Sequence, residues 1–358
     1  MQSFVFNGQP SRIVFGAGSL VHLGREIDAL GAQRALVLAT PEQQADAEAI
    51  AARLGARCAG VFARAVMHVP IETAREARAL AKQLGADCAV TIGGGSTTGL
   101  GKAIALESSL PIVAIPTTYA GSEVTPIYGI TEGGLKKTGK DQRVLPRTVI
   151  YDPELTLGLP ITLSVTSGMN AIAHAVEGLY AQDANPITSM MAEEGIRAIA
   201  AGLPKIRRSP RDLEARSDCL YGAWLCGTVL GNVGMALHHK LCHTLGGSFN
   251  LPHAETHTIV LPHATAFNTP AAAHAMTRVQ RALGQAGLDT SMTAARALFD
   301  LARDNGAPVA LRDLGMQEAD IDRAAQIATT APYWNPRAID RPGIRQLLDD
   351  AYHGRRPA

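Results

Sequence analysis

The chain has 358 residues, with 33 Lys plus Arg against 32 Asp plus Glu and a formal net charge of +1, so no field of one sign recommends nucleic acid or an anionic membrane, and a small molecule is the expected partner. Its length exceeds the usual single domain, which predicts two cores. The five cysteines (Cys58, Cys88, Cys219, Cys226, Cys242) are odd in number and free of CxxC spacing, and no apolar run reaches the roughly 20 residues that span a bilayer; a cytoplasmic protein without disulfides or Cys-ligated zinc is expected.

The first residues read as two short strands, Phe4 to Phe6 and Arg12 to Phe15, around a turn at Asn7-Gly8-Gln9-Pro10. Short apolar runs then alternate with helical stretches. Strands are predicted at Ala35 to Ala39, Gly60 to Phe62, Cys88 to Ile92, Pro111 to Ile115 and Thr148 to Tyr151, and helices at Glu42 to Leu54, Ile71 to Leu84 and Gly99 to Glu107. That alternation predicts a parallel sheet wrapped by helices. After Asp152-Pro153 the β-branched runs nearly vanish and Ala-rich stretches take over, at Ser167 to Ala181, Ser189 to Leu203, Ala215 to Val229 and Met276 to Leu283. The expected organisation is an α/β domain over residues 1–157 and an all-α domain over 158–358.

Gly93-Gly94-Gly95-Ser96 leaves a predicted strand and precedes a helix, where bare N–H groups and a helix N-terminus favour a pyrophosphate. It is neither GxGxxG, because Thr98 stands at the third glycine, nor Walker A. A tight turn without a ligand is the alternative. A second turn, Ile115-Pro116-Thr117-Thr118-Tyr119-Ala120-Gly121-Ser122-Glu123, reaches the same carboxyl edge of the sheet, where open α/β folds bind ligands. The densest signal is His238 to His263, which holds six of the chain's 11 histidines. The pairs His239 with His243 and His253 with His257 recur at i, i+4, so each pair stacks on one helix face and can meet one ion or substrate.

These motifs, together with Tyr151-Asp152-Pro153, Gly168-Met169-Asn170-Ala171-Ile172-Ala173-His174-Ala175-Val176-Glu177-Gly178 and Asn335-Pro336-Arg337, resemble the iron-containing alcohol dehydrogenase superfamily over essentially the whole chain. The resemblance implies an N-terminal nicotinamide-dinucleotide domain, a helical C-terminal domain, an active site in the cleft between them, and a homodimer. In metal-dependent members an Asp and three His hold iron or zinc; the matching positions are Asn170, His174, His239 and His253, with His243 beside the substrate. The Asp is missing. A neutral amide replaces a full negative charge, which weakens a divalent-ion site. The nearest resemblance is to reductases that carry Asn at this position and work without a metal, on a small dicarboxylate from aromatic-compound degradation whose carbon–carbon double bond is conjugated to a ketone.

For that chemistry His243 is the expected proton donor or enolate partner, His174, His239 and His253 a cationic or hydrogen-bonding pocket, and Asn170 the residue that fixes one imidazole. Tyr119, Lys240, Tyr333 and Arg337 are further pocket candidates, Arg337 alternatively in a structural ion pair; His238, His257 and His263 read as structural. The expected cofactor contacts are Gly93, Gly94, Gly95, Ser96, Thr117, Thr118, Ser122, Thr40 and Lys137. Relatives often place an Asp where this chain has Thr40, and without that carboxylate both NADH and NADPH are expected to serve. Three rivals remain: a metal-dependent alcohol dehydrogenase in which Asn170 still ligates, a lyase of the dehydroquinate-synthase type, and a catalytically inert metal-binding or interaction domain.

Overall fold

The computed structural model describes residues 4, 6, 8, 11–133, 135–331 and 333–358. The chain divides into two compact units, Gly8–Leu159 and Pro160–Ala358, the second also taking in the described Phe4 and Phe6.

The first unit runs β1 (Arg12–Phe15), α1 (Leu23–Ala29), β2 (Ala35–Leu38), α2 (Gln44–Leu54), β3 (Cys58–Phe62), α3 (Ile71–Gln83), β4 (Cys88–Gly93), α4 (Gly95–Ser108), β5 (Ile112–Pro116), β6 (Ile127–Glu132), β7 (Leu135–Lys140) and β8 (Thr148–Tyr151). Six strands form a parallel sheet in the order β1-β8-β5-β4-β2-β3. Every residue of β2, β4, β5 and β8 is buried, which is why these strands read as unbroken apolar runs. Alternate residues of β2 serve opposite faces: Val37 packs with Val90, Ile115 and the α1 and α2 residues Ile27 and Ile50, while Leu36 and Leu38 pack with Ala77 of α3 and Leu100 of α4. The chain leaves β2 outward to β3 and returns on the other side of β2 as β4, so the topological switch point lies between the carboxyl ends of β2 and β4, where such sheets bind ligands.

Three sequence expectations are amended. Helix α4 starts at Gly95 rather than Gly99, because only Gly94 separates it from β4. The hairpin β6–β7 was not anticipated; its strands are antiparallel, with Glu132 opposite Leu135, and its Gly- and Lys-rich sequence hides the alternation that marks a strand. Of the N-terminal hairpin, Val5, Asn7, Gln9 and Pro10 lie outside the described residues, Phe4 and Phe6 are in no strand, and Arg12–Phe15 pairs in parallel with β8.

The second unit is helical: α5 (Ile161–Tyr180), α6 (Pro186–Arg208), α7 (Leu213–Asn232), α8 (Leu237–Phe249), α9 (His253–Asn268), α10 (Ala273–Gln285), α11 (Ala294–Asp304), α12 (Asp320–Thr330) and α13 (Arg341–His353). Helices α6 and α7 cross at glycines: a Cβ on Gly222 would meet the Gly195 carbonyl oxygen at 2.8 Å. Helix α5 is buried from Ser164 to Tyr180, so its polar residues need partners inside the protein. No single helix among the described residues is long and apolar enough to cross a membrane.

The loop between β5 and β6 is pinned from beneath by Lys102 of α4, a side chain only 1% exposed. Its Nζ donates to the carbonyls of Ser122 (2.6 Å), Thr125 (2.9 Å) and Ile127 (2.7 Å), with the hydroxyls of Thr125 (2.9 Å) and Ser122 (3.3 Å) also in reach. Burial pulls the Lys102 pKa down to about 7 and the Glu123 carboxylate pulls it up; the surrounding oxygens favour the ammonium over an amine whose lone pair would face them. Lys102→Met is expected to cost about 3 kcal/mol, ~1 kcal/mol for each carbonyl left unpaired, read as a lower urea midpoint at unchanged slope; an unchanged midpoint would contradict the role.

Candidate active site

Helix α5 places Asn170, His174 and Glu177 at i, i+4 and i+7, hence on one face. Glu177 is fully buried. Its Oε1 accepts from the His238 N–H (2.8 Å) and the Tyr180 hydroxyl (3.3 Å), and its Oε2 from the N–H groups of Ala236 (3.0 Å) and His239 (3.4 Å) and from His239 Nδ1 (2.7 Å). Helix α8 has no side-chain cap of its own, so this carboxylate from another helix satisfies its first N–H groups and meets the positive end of its dipole. Burial pushes the Glu177 carboxyl up, but the His239 hydrogen bond, His239 and His238 charge and the Ala236 N–H outweigh it and bring the pKa down to about 2. An acceptor-only carboxylate requires the proton on His239 Nδ1. The other ring nitrogen, His239 Nε2, is buried with no partner.

Around His239 stand His174 (ring centroids 5.2 Å apart), His257 (4.9 Å), His238 (5.2 Å) and His243 (6.2 Å), with His253 4.2 Å from His257. Five of the expected catalytic residues, Asn170, His174, His239, His243 and His253, thus belong to one helical unit, and His174, His239, His243 and His253 to one linked set of rings; the sixth, Tyr119, is a buried residue of the other unit. His243 is exposed while Asn170, His174 and His239 are buried, so the set grades from solvent into the core. Asn170 Oδ1 and His174 Nδ1 are also buried without partners. Burial, reinforced by neighbouring histidines, holds His174 and His257 well below the ordinary histidine range and His238 at about 3, which favours the hydrogen-bonding over the cationic reading of His174.

Sequence reasoning missed Glu177 and the central place of His257. Glu177 lies one turn after His174 in the Gly168 to Gly178 motif, and that i+3 spacing was the available signal. His257 and His238 form a pair, His238 Nε2 lying 3.0 Å from His257 Nδ1 and 3.7 Å from Cys242 Sγ. These three residues bring ligand-type atoms within 4.8 Å of one another. The network continues outward: Tyr180 OH accepts from Asn268 Nδ2 (3.3 Å), and Asn268 exchanges amide bonds with Asn335 (3.0 and 2.7 Å), which gives the Asn335-Pro336-Arg337 motif its role. Arg337 makes no ion pair among the described residues; it donates to the Phe267 carbonyl (2.8 Å) and lies 4.1 Å over the Phe267 ring. Lys240 sits 5.7 Å over the Tyr333 ring, and the Tyr333 hydroxyl, its pKa raised by burial, is buried without a partner. His263 packs edge-on to Phe299, with burial lowering its pKa to about 4.

In the first unit the glycine-rich turn lies at the switch point. Gly93 has φ 146, and a Cβ there would meet Thr97 Oγ1 at 2.5 Å and Gln43 Oε1 at 2.7 Å; on Gly94 it would meet Thr118 at 3.0 Å. Gly95 differs, because its nearest neighbour would be Ala120 at 3.9 Å. The first turn of α4 thus keeps uncapped N–H groups and an open approach, which fits a dinucleotide's pyrophosphate. Gln43 Nε2 donates to Thr117 Oγ1 (3.0 Å), tying the end of β2 to the turn after β5. Ser122 bonds Lys102, and Lys137 is exposed on β7, 3.0 Å from Glu132. Beside Thr40 lies a second overlooked group: Glu42, whose carboxylate is held below its ordinary range by its own backbone N–H and then by the Thr40 hydroxyl.

Comparison with known proteins accords with this geometry. A family model described as iron-containing alcohol dehydrogenase matches residues 10–153, and one described as Fe-containing alcohol dehydrogenase family, C-terminal, matches residues 164–352. Among similar proteins, the maleylacetate reductase of Burkholderia cepacia is 65% identical over 100% of both chains, and that of Pseudomonas sp. (strain P51) is 59% identical over 99% of both. The crystal structure of maleylacetate reductase from Agrobacterium tumefaciens is 55% identical and superposes with a TM-score of 0.94 over 100% of both chains.

The buried groups predict a loss of stability in acid. His174, His238, His257 and His263 have folded pKa values below their ordinary 6.5, so the unfolded chain binds protons the folded one refuses; their contribution is complete above about pH 6.5 and is lost as pH falls toward about 4 for His263 and about 3 for His238. Glu177 adds a contribution present above its ordinary 4.5 and lost as pH falls through about 2. Each fully titrating group contributes up to about 1.4 kcal/mol per pH unit. Urea unfolding followed from pH 7.5 to 5 should show a steady decline, and a flat profile would be inconsistent with neutral buried histidines.

Proposed function

The chain belongs to the iron-containing alcohol dehydrogenase family of oxidoreductases, and from that premise we propose that it reduces the carbon–carbon double bond of maleylacetate to 3-oxoadipate with NADH or NADPH, without a bound metal, as a cytoplasmic homodimer in aromatic-compound degradation. The observation that carries the metal-free reading is the charge of the donor set. Asn170, His174, His239 and His253 offer one amide and three imidazoles, and the carboxylate beside them, Glu177, is already committed to α8 and His239. A divalent ion there would sit largely uncompensated in a buried site, so the residues present do not fit iron. The full-length relatives named for maleylacetate support the substrate.

The β4–α4 turn would hold the nicotinamide cofactor, which when bound would supply the hydride that adds to the substrate carbon beta to the ketone. The charge passes to the ketone oxygen as an enolate, and the adjacent carbon takes a proton, so the double bond is reduced and the ketone restored. His243, exposed at the rim of the histidine set, is the proton donor and reloads from water. His239, its Nδ1–H held by Glu177, keeps a fixed orientation, and buried imidazole and amide dipoles stabilise the enolate where water is excluded. The Tyr333 hydroxyl and the Lys240 ammonium would take a substrate carboxylate. At the other unit, Gly93, Gly94, Gly95, Ser96, Thr117, Thr118 and Thr40 would hold the pyrophosphate and adenosine ribose, and Glu42 beside Thr40 would tilt the balance toward NADH by repelling a 2′-phosphate.

The direct test is oxidation of NADH by maleylacetate in the presence of a chelator, with 3-oxoadipate identified as product. Stoichiometric turnover is expected; loss of activity to the chelator and its return with iron or zinc would favour the metal-dependent alternative, and absence of turnover would sink the reading. For the cofactor, Glu42→Gln should raise kcat/KM for NADPH relative to NADH several-fold, and no change in that ratio would remove Glu42 from the ribose site.

A further inference from the structure

His238, Cys242 and His257 are buried polar residues that the reductase chemistry leaves unused. His238 and Cys242 lie at i and i+4 on α8, so they share a face, and His257 stands one turn into α9. His238 Nε2 lies 3.0 Å from His257 Nδ1 and 3.7 Å from Cys242 Sγ, and the three ligand-type atoms fall within 4.8 Å of one another. An ion bonded at about 2.0 Å to each nitrogen and about 2.3 Å to sulfur holds its ligand atoms roughly 3.3–3.7 Å apart. The spacing of the three atoms is therefore already close to that of a metal centre. The protein's own bonding leaves the group unfinished: one proton shared between the rings leaves Nδ1 of His238 and Nε2 of His257 without partners, one of them an N–H, and the thiol makes only a weak contact at 3.7 Å with His238.

The donor set decides which ion it suits. One thiolate and two imidazoles are ligands of the kind that select zinc or monovalent copper. Structural zinc takes four ligands, and among the described residues no fourth His, Cys, Asp or Glu joins these three. A divalent ion would also keep a net charge in the core, because a single thiolate cancels half of it. A monovalent ion is cancelled in full. We propose that His238, Cys242 and His257 form a three-coordinate site for a soft monovalent cation of the copper(I) kind, separate from the set of Asn170, His174, His239 and His253 and independent of the reductase reading. Binding releases one proton: the Cys242 thiol gives up its hydrogen as sulfur bonds the ion, while both rings stay neutral and one of them moves its proton to the outward nitrogen. That move adds one buried N–H without an acceptor, a loss smaller than the gain of three metal–ligand bonds. The filled site joins α8 to α9, the helices that carry His239, His243 and His253.

The test is a titration of copper(I), under nitrogen, in which the full-length protein competes with bathocuproine disulfonate, a chelator specific for that oxidation state. The wild type should withdraw one copper(I) per chain and melt at a higher temperature with it than without. Cys242→Ser and His257→Gln should each weaken binding at least about 100-fold. Cys58→Ser, at the half-buried cysteine of β3, and Cys219→Ser, at a buried one on α7, should bind as the wild type does. X-ray absorption of the loaded wild type, which depends on no variant, should show one sulfur and two nitrogens around copper. No withdrawal of copper by the wild type, binding undiminished in Cys242→Ser, binding lost in Cys58→Ser, or a copper shell without sulfur each overturns the proposal.

Discussion

A carboxylate with no access to water governs the helical unit. Glu177 is ionised where burial alone would protonate it, because the first turn of α8, the His239 ring and the Tyr180 hydroxyl converge on its two oxygens. A lone buried charge would cost several kcal/mol; here the helix end it satisfies would otherwise be equally exposed to loss, since α8 begins without a cap. The two defects cancel, and the position of α8 against α5 follows. With α8 fixed, His238, His239, Cys242 and His243 take their places along one helix, and α9 brings His253 and His257 alongside.

The same interaction sets the chemistry the cluster can offer. By claiming the Nδ1–H of His239, Glu177 is spent; it contributes no free oxygen to an ion. Asn170, one turn before His174, contributes an amide. Burial disfavours a charge on His174, His238 and His257. The cluster is accordingly a set of dipoles of fixed direction. Such a set stabilises charge that develops on a substrate and is gone by the end of the turnover, which is what a conjugated ketone passing through an enolate presents.

Much of this was legible in the sequence, and the reasons are specific. The central strands were readable because they are buried on both faces, so that Ala35–Leu38 and Ile112–Pro116 carry no polar residue to break the run. The histidine pairs were readable because i, i+4 spacing survives any helical context. The β6–β7 hairpin was not, since β7, Leu-Lys-Lys-Thr-Gly-Lys, has neither an apolar run nor alternation. Glu42 lies two residues beyond Thr40 in sequence, and only the one-turn 3-10 segment Pro41–Gln43 folds its carboxylate back to the Thr40 hydroxyl. Glu177 and the His238–His257 pair were hidden for a different reason: their meaning lies in partners 59 to 62 and 19 residues away, and no periodicity reports that a carboxylate on one helix caps another.

We propose that the charge of this donor set, and not its shape, keeps a divalent ion out. Calorimetric titration of Zn²⁺ into the wild-type protein and into Asn170→Asp tests it most directly. The account predicts weak binding by the wild type and binding tightened by at least about 100-fold when the single carboxylate is restored. Equal affinity in the two proteins would contradict it.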